Sequence, residues 1–165
     1  MATTRVLKTL SIYRQSGKDG TITNKDPGEE SGQSYKQGAP LVDDSSTKEM
    51  EEWAGGEDAT LIVGISAANA SGTAGTDVPY YEANPYNIFA GSIINATSAI
   101  ALAASHINTN YSLIKSGTNW YIDIGDTAAG YVKVRIIAPI DDIGDTNARV
   151  AFRFIGDMQT KVAVT

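Results

Sequence analysis

Tyr111-Ser-Leu-Ile-Lys115, Trp120-Tyr-Ile-Asp-Ile124, Tyr131-Val-Lys-Val-Arg-Ile136 and Arg149-Val-Ala-Phe-Arg-Phe154 follow one another through the last third of the chain. Turn-forming stretches separate them: Ser116-Gly-Thr-Asn119, Gly125-Asp-Thr-Ala-Ala-Gly130 and Asp141-Asp-Ile-Gly-Asp-Thr-Asn147. In the third segment Val132, Val134 and Ile136 alternate with Tyr131, Lys133 and Arg135; in the fourth, Val150, Phe152 and Phe154 alternate with Arg149, Ala151 and Arg153. Successive strand residues point to opposite faces, so this period-2 pattern between Gly/Asn/Asp clusters predicts a four-strand antiparallel meander. Val, Ile and Phe face the core and Lys and Arg face water. The meander reads as a scaffold and holds no constellation of catalytic side chains.

Upstream, Tyr35-Lys-Gln-Gly-Ala-Pro-Leu-Val42 leads into a strand through Gly and Pro. Ser46-Thr-Lys-Glu49 has the Ser/Thr-x-x-Glu pattern of a helix N-terminus. It predicts a helix to about Ala54 that stops at Gly55-Gly56 and buries Met50, Trp53 and Ala54. Leu61-Ile-Val-Gly-Ile65 reads as a central strand whose Gly64 marks a bulge or a close backbone approach. Residues 66–76 form a loop of small residues, and 77–94 return to strand character, bent by Pro79 and Pro85. Residues 97–106 read as a second short helix, and Lys161-Val-Ala-Val164 as a short closing strand. The sum is mainly β: a small antiparallel β-barrel or sandwich with one or two short helices.

Residues 1–37 read differently. A strand-like stretch, Val6-Leu-Lys-Thr-Leu-Ser-Ile-Tyr13, is flanked by Arg5 and Arg14 and followed by over twenty residues rich in Ser, Gly, Lys, Asp and Glu. Such composition is ordinary for a linker and unusual inside a compact domain. The expected organisation is an extended N-terminal arm and linker, 1–37, ahead of a β-barrel domain, 38–165. The tip of the arm, Arg5, Val6, Leu7, Leu10, Ile12, Tyr13 and Arg14, is expected to dock onto its own barrel or onto a neighbour.

Composition narrows the function classes. With 165 residues, 42% apolar and 19% charged, the chain has enough material for a folded core. Its longest apolar run, Ala99–Ala104, is far short of the about 20 residues that a membrane span needs. The first residues lack the apolar stretch of a signal peptide. There is no cysteine, so no disulfide and no thiolate zinc site. A net charge of −6 disfavours nucleic acid, whose phosphates require Lys and Arg. The charge is uneven: residues 1–37 carry six Lys/Arg against four Asp/Glu, and residues 38–165 carry seven against fifteen.

Candidate chemistry is sparse. His106 is the one histidine, placed near the end of the second expected helix, where a partly charged imidazole suits the helix dipole. A histidine metal cluster is excluded, and no Gly-x-Ser-x-Gly elbow accompanies His106. The carboxylates of Asp141–Asn147 miss the calcium-loop spacing and lie where a hairpin needs turn residues. The acidic run Glu49, Glu51, Glu52, Glu57 and Asp58 reads as the solvated side of the first helix and its exit. No flanking pattern singles out a glycosidase carboxylate pair, and no Gly-rich phosphate loop is present. No catalytic residue, metal or cofactor is expected. Tyr80, Tyr81 and Tyr86, with Phe89 close by, offer a possible surface platform for a sugar or a protein, with core packing as the alternative.

The order of these features carries a resemblance. Gly-Ala-Pro-Leu-Val (38–42) follows a polar leader and precedes Leu-Ile-Val-Gly-Ile-Ser (61–66), Val-Pro-Tyr-Tyr (78–81) and Ile-Phe-Ala-Gly-Ser-Ile (88–93). Then come Asn110-Tyr-Ser-Leu-Ile-Lys-Ser-Gly-Thr-Asn-Trp-Tyr-Ile-Asp123, Tyr131-Val-Lys-Val-Arg-Ile136 and Asn147-Ala-Arg-Val-Ala-Phe-Arg-Phe154. Over roughly 38–154 this resembles the capsid decoration (cement or head-stabilising) proteins of tailed bacteriophages, with a leader longer than in compact members. The resemblance implies a non-enzymatic virion structural protein, made in the host cytoplasm and placed on the outer surface of the capsid. Its implied partners are the major capsid protein and neighbouring copies of itself, as a homo-oligomer such as a trimer, with no nucleic acid and no membrane. A carbohydrate-binding or adhesin-type module, or another head or tail component, is the alternative. A carboxylate-pair hydrolase is the third reading.

Overall fold

The structure is a computed structural model that describes residues 2–14, 23–25, 28–44, 46–55, 62–84, 86–128 and 133–155. Among these residues eleven strands follow in order: β1 (Ser11–Arg14), β2 (Thr23–Lys25), β3 (Pro40–Asp43), β4 (Met50–Glu52), β5 (Ile62–Ser66), β6 (Val78–Glu82), β7 (Ile88–Ile94), β8 (Asn110–Ser116), β9 (Asn119–Asp123), β10 (Val134–Pro139) and β11 (Arg149–Phe154). The chain is mainly β, as its alternation predicts.

The predicted meander supplies four staves of a barrel. β8 pairs with β9 across a tight turn, β10 pairs with both β8 and β11, and β11 pairs with β7, all antiparallel. Closure comes from one short parallel contact, Ile93 opposite Ile122 and Ile94 opposite Asp123, which joins β7 to β9. Five strands thus form a closed β-barrel. Phe89, Phe152 and Phe154 fill its interior with centroids 5.3–5.8 Å apart, within the range that edge-on and offset rings favour. Val134, Ile136 and Val150 join them in the core while Arg135, Arg149 and Arg153 stay exposed, as alternation requires.

A second, antiparallel sheet has the order β2-β6-β5-β3-β4. Gly64 in β5 is a close backbone approach as expected: a Cβ there would lie 2.4 Å from the Tyr81 carbonyl oxygen. The two sheets share one hydrophobic core. Trp53, just after β4, meets Trp120 of β9 with centroids 5.3 Å apart. Glu52 reinforces the joint: it accepts the Trp120 indole N–H at 2.7 Å and pairs with the Lys115 ammonium at 2.7 Å.

Several sequence expectations need correction. The first helix is absent. Asp44 accepts hydrogen bonds from the backbone N–H groups and hydroxyls of Ser46 and Thr47, so the cap-like signature closes a turn instead of opening a helix. Lys48 then takes a left-handed φ of 64° and the chain enters β4. Met50 and Trp53 are buried as expected, but Ala54 is exposed. The second helix shrinks to a single 3₁₀ turn, Ala104–His106. Lys133, expected outside, is buried with its ammonium 5.7 Å from the Trp53 ring centroid. The expected closing strand at 161–164 lies outside the described residues.

Trp53→Ala should cost about 3–5 kcal/mol, because it empties the joint and removes the ring under Lys133. Urea unfolding of the variant checks this; a shift in stability below about 1 kcal/mol would show that the two sheets do not depend on the tryptophan contact.

Candidate functional site

The expected docking segment is laid along its own barrel. The Thr146 N–H donates to the Thr3 carbonyl, Arg5 donates its N–H to the Thr146 carbonyl, and Lys8 and Ser92 bond reciprocally. β1 then pairs with β7, Ser11 opposite Ala90 and Ile12 opposite Phe89, and the backbone of Arg14 faces Ile88 across a bulge. Leu10 is 1% exposed and reaches Gly91, where any Cβ would meet its side chain at 2.6 Å. On the other side Gly38, at a φ of +93°, packs its backbone against the Leu10 carbonyl. Leu10 is therefore a core residue of this chain, and Ile12 packs partly against that core. Val6 (76% exposed), Leu7 (38%) and Tyr13 (56%) are left facing outward.

One carboxylate pins the tip of this segment. Asp145 is buried and accepts the Thr3 N–H at 2.7 Å and the Arg5 Nε–H at 2.7 Å, with the second Arg5 nitrogen at 2.6 Å. The Thr3 N–H first, then the Arg5 guanidinium, hold its carboxyl below the usual carboxylate range. Asp141, in the same loop, is lowered chiefly by its hydrogen bonds from Arg149. The stretch Asp141–Asn147 is a turn as predicted, and two of its carboxylates are committed to the protein's own cations.

Beside β1, the last strand of its sheet, a cleft of about 360 Å³ opens toward the second sheet. Its polar lining includes Lys8, Ser11, Gln37, Ser66, Tyr81 and Arg149. Among the described residues the lining holds no carboxylate and no histidine, the usual general bases. It offers hydrogen-bonding groups along a strand edge, the kind of surface that an extended polypeptide can pair with.

The three platform tyrosines differ in exposure: Tyr80 is buried, Tyr81, its neighbour in β6 and so on the opposite side, is half-buried, and Tyr86 is 65% exposed. Trp120 is spent on the inter-sheet joint. His106 is not a charged helix-end group: its Nδ1 accepts the Ala103 N–H at 3.1 Å, and burial lowers its pKa, both of which favour the neutral ring. Of the acidic run, Glu57 and Asp58 lie outside the described residues. Glu51 lies instead beside Glu30 and Asp44, with one oxygen of each within 4.8 Å of the others. Among the described residues these half-buried carboxylates are the one grouping with metal-ligand spacing. Asp44 is already held by the turn it closes.

No family model, curated protein or solved structure matches this chain. Its reading rests on its own geometry. Sequence reasoning missed two organising carboxylates, Asp145 and Glu29. Buried Glu29 accepts from Tyr35 Oη, the Ser71 N–H and hydroxyl, and the Gly72 N–H, tying the chain after β2 to the loop after β5. Ser71 lies 42 residues from Glu29 and Thr3 lies 142 from Asp145, so no local spacing signals these ties.

Asp145 also sets a pH response. Its folded pKa lies below the unfolded value of about 3.9, so its contribution is complete at neutral pH and is withdrawn as pH falls through the folded value. Asp145→Asn should accelerate amide exchange at Arg5 and Lys8 at pH 7 and flatten the acid limb of stability below about pH 4. Exchange at both amides unchanged from the parent would show that Asp145 does not hold the segment.

Proposed function

We propose that this chain is a non-enzymatic structural protein that binds the outer surface of a phage head and stabilises it by bridging neighbouring capsomers. The observation that carries the reading is the N-terminal segment. It is pinned at Asp145 and at Leu10, yet it presents Val6, Leu7 and Tyr13 to solvent. Apolar side chains held outward on a fixed backbone lose little freedom on binding, so they make an economical contact surface. The closed barrel supports this role, since closure removes most of the open strand edges that would otherwise pair with unintended partners. The order of sequence segments, which resembles that of decoration proteins, supports the major capsid protein as the partner.

The segment docks onto its own barrel, the first of the two placements expected of it. Leu10 belongs to this chain's core, so exchanging the whole arm would leave a cavity behind. Contact through the surface of the docked segment avoids that loss. A glycan-binding module requires several exposed rings on one face, and Tyr80, Tyr81 and Tyr86 do not provide them.

The protein should co-sediment with expanded, DNA-filled heads, and Val6→Asp/Leu7→Asp should reduce its occupancy at least tenfold without unfolding it. A wild-type protein that stays in the supernatant beside expanded heads rules out the shell as partner. Equal occupancy of the double variant would move the contact away from the N-terminal segment.

A further inference from the structure

One row of side chains on the outer face of the barrel is basic from end to end. Across β8, β10 and β11 the register sets Asn110, Arg135 and Arg153 side by side. All three are exposed, because Val134, Ile136, Phe152 and Phe154 take the inward positions of the same strands. Phe152 lies opposite Phe89, so the row continues through Ile88 to position 14 of β1, a third arginine of the sequence. Ala138, Ala151, Ala90 and Ser11 form the row on one side of it, and Lys133 and Ile155 follow on the other. No Asp or Glu stands in these rows, in a chain with 19 acidic residues against 13 basic ones.

The sheet itself gains nothing from this arrangement. Residues directly opposite on neighbouring strands have Cβ atoms about 4.5–5.5 Å apart, and like charges there are destabilising. Four residues back along β11, Arg149 shows the usual remedy: Asp141 takes its guanidinium through two nitrogens. Arg135 and Arg153 have no such partner among the described residues, and the Asn110 amide makes no side-chain hydrogen bond there. The row therefore offers donors and positive charge with no acceptor of its own.

We propose that Arg135 and Arg153 form a binding site for a phosphate dianion, free or as the end of a monoester, with the Asn110 amide as a further donor. Charge and geometry select this class. Two adjacent guanidinium groups present two positive charges and two forks of N–H groups, each of which bonds two oxygens at once. A phosphate monoester carries about −1.5 to −2 charges at pH 7 and three acceptor oxygens, enough to engage both forks. A carboxylate has one charge and two oxygens, which a single fork already satisfies. The bound dianion replaces a repulsion between the arginines with an attraction to a shared partner. The site stands apart from the shell reading, which its failure would leave as it is.

Thermal unfolding of the purified full chain in sodium phosphate and in sodium chloride of equal ionic strength provides the test, since screening is then the same in both. The wild type should melt at least about 2 °C higher in phosphate at tens of millimolar, because a ligand of the folded state stabilises it. Arg135→Gln/Arg153→Gln should lose that difference and, in chloride, melt no lower than the wild type, because the repulsion is gone. On the wild type alone, the Nε–H NMR signals of Arg135 and Arg153 should shift with inorganic phosphate and stay in place with acetate. Glycerol 3-phosphate that moves the same signals identifies a site open to monoesters, whereas inorganic phosphate acting alone identifies the free ion as the ligand. Equal melting in phosphate and chloride, a double variant that keeps the difference, or acetate that shifts the signals as phosphate does would each overturn the proposal.

Discussion

Strand β7 must give one edge to two partners, and much of the molecule follows from that. Its far end pairs in parallel with β9 for only two residues, which is what closes the barrel. The first half of the same edge is thereby left open, and β1 fills it. At the point of divergence Lys8 bonds to Ser92, and the Thr9 hydroxyl bonds to the backbone of Trp120 in β9. The N-terminal segment therefore completes a seam in the barrel wall. That is why Leu10 is buried and why residues that look like a free arm are part of the fold.

The second dependence runs through Trp53 and Trp120. A five-stranded barrel has a small interior, and the three phenylalanines largely occupy it. The tryptophans extend the core to the second sheet instead of adding to the barrel's filling. Glu52 orients one indole, while the Trp53 Nε1–H is buried without a hydrogen-bond partner among the described residues. Such a group costs about 1–3 kcal/mol, which the packing of two large rings offsets.

The barrel strands were legible because period-2 alternation is a local property, and β8 to β11 lie close to where Tyr111–Phe154 predicts them. The helices were not, for two different reasons. At 46–49 the same side-chain oxygens that cap a helix also close a turn, and the choice falls to Lys48 and the pairing of β4 with β3. At 97–106 helix-favouring alanines are overridden from a distance. Leu102 donates to the Asp145 carbonyl, Gly144 donates to the Leu102 carbonyl, and Asn147 donates to the Ile100 carbonyl, so the backbone is committed to another loop. Lys133 shows a third limit. Alternation gives the face of a residue but not what covers that face, and here Trp53 covers it. Of the candidate site, Val6 and Tyr13 were readable as part of an apolar tip but not as its outward side, and the roles of Asp145 and Glu29 exist only once distant segments meet.

The bond between Thr3 and Asp145 spans 142 positions of sequence, and this has a consequence for how the protein is made. During synthesis at about 5–20 residues per second, the tip of the N-terminal segment waits roughly 7–28 seconds before its anchor has been translated. Through that interval Val6, Leu7 and Leu10 are all without the barrel seam that later holds them. The seam needs both β7 and Asp145, so it closes only once these have been translated, and of the three side chains it withdraws Leu10 alone from solution.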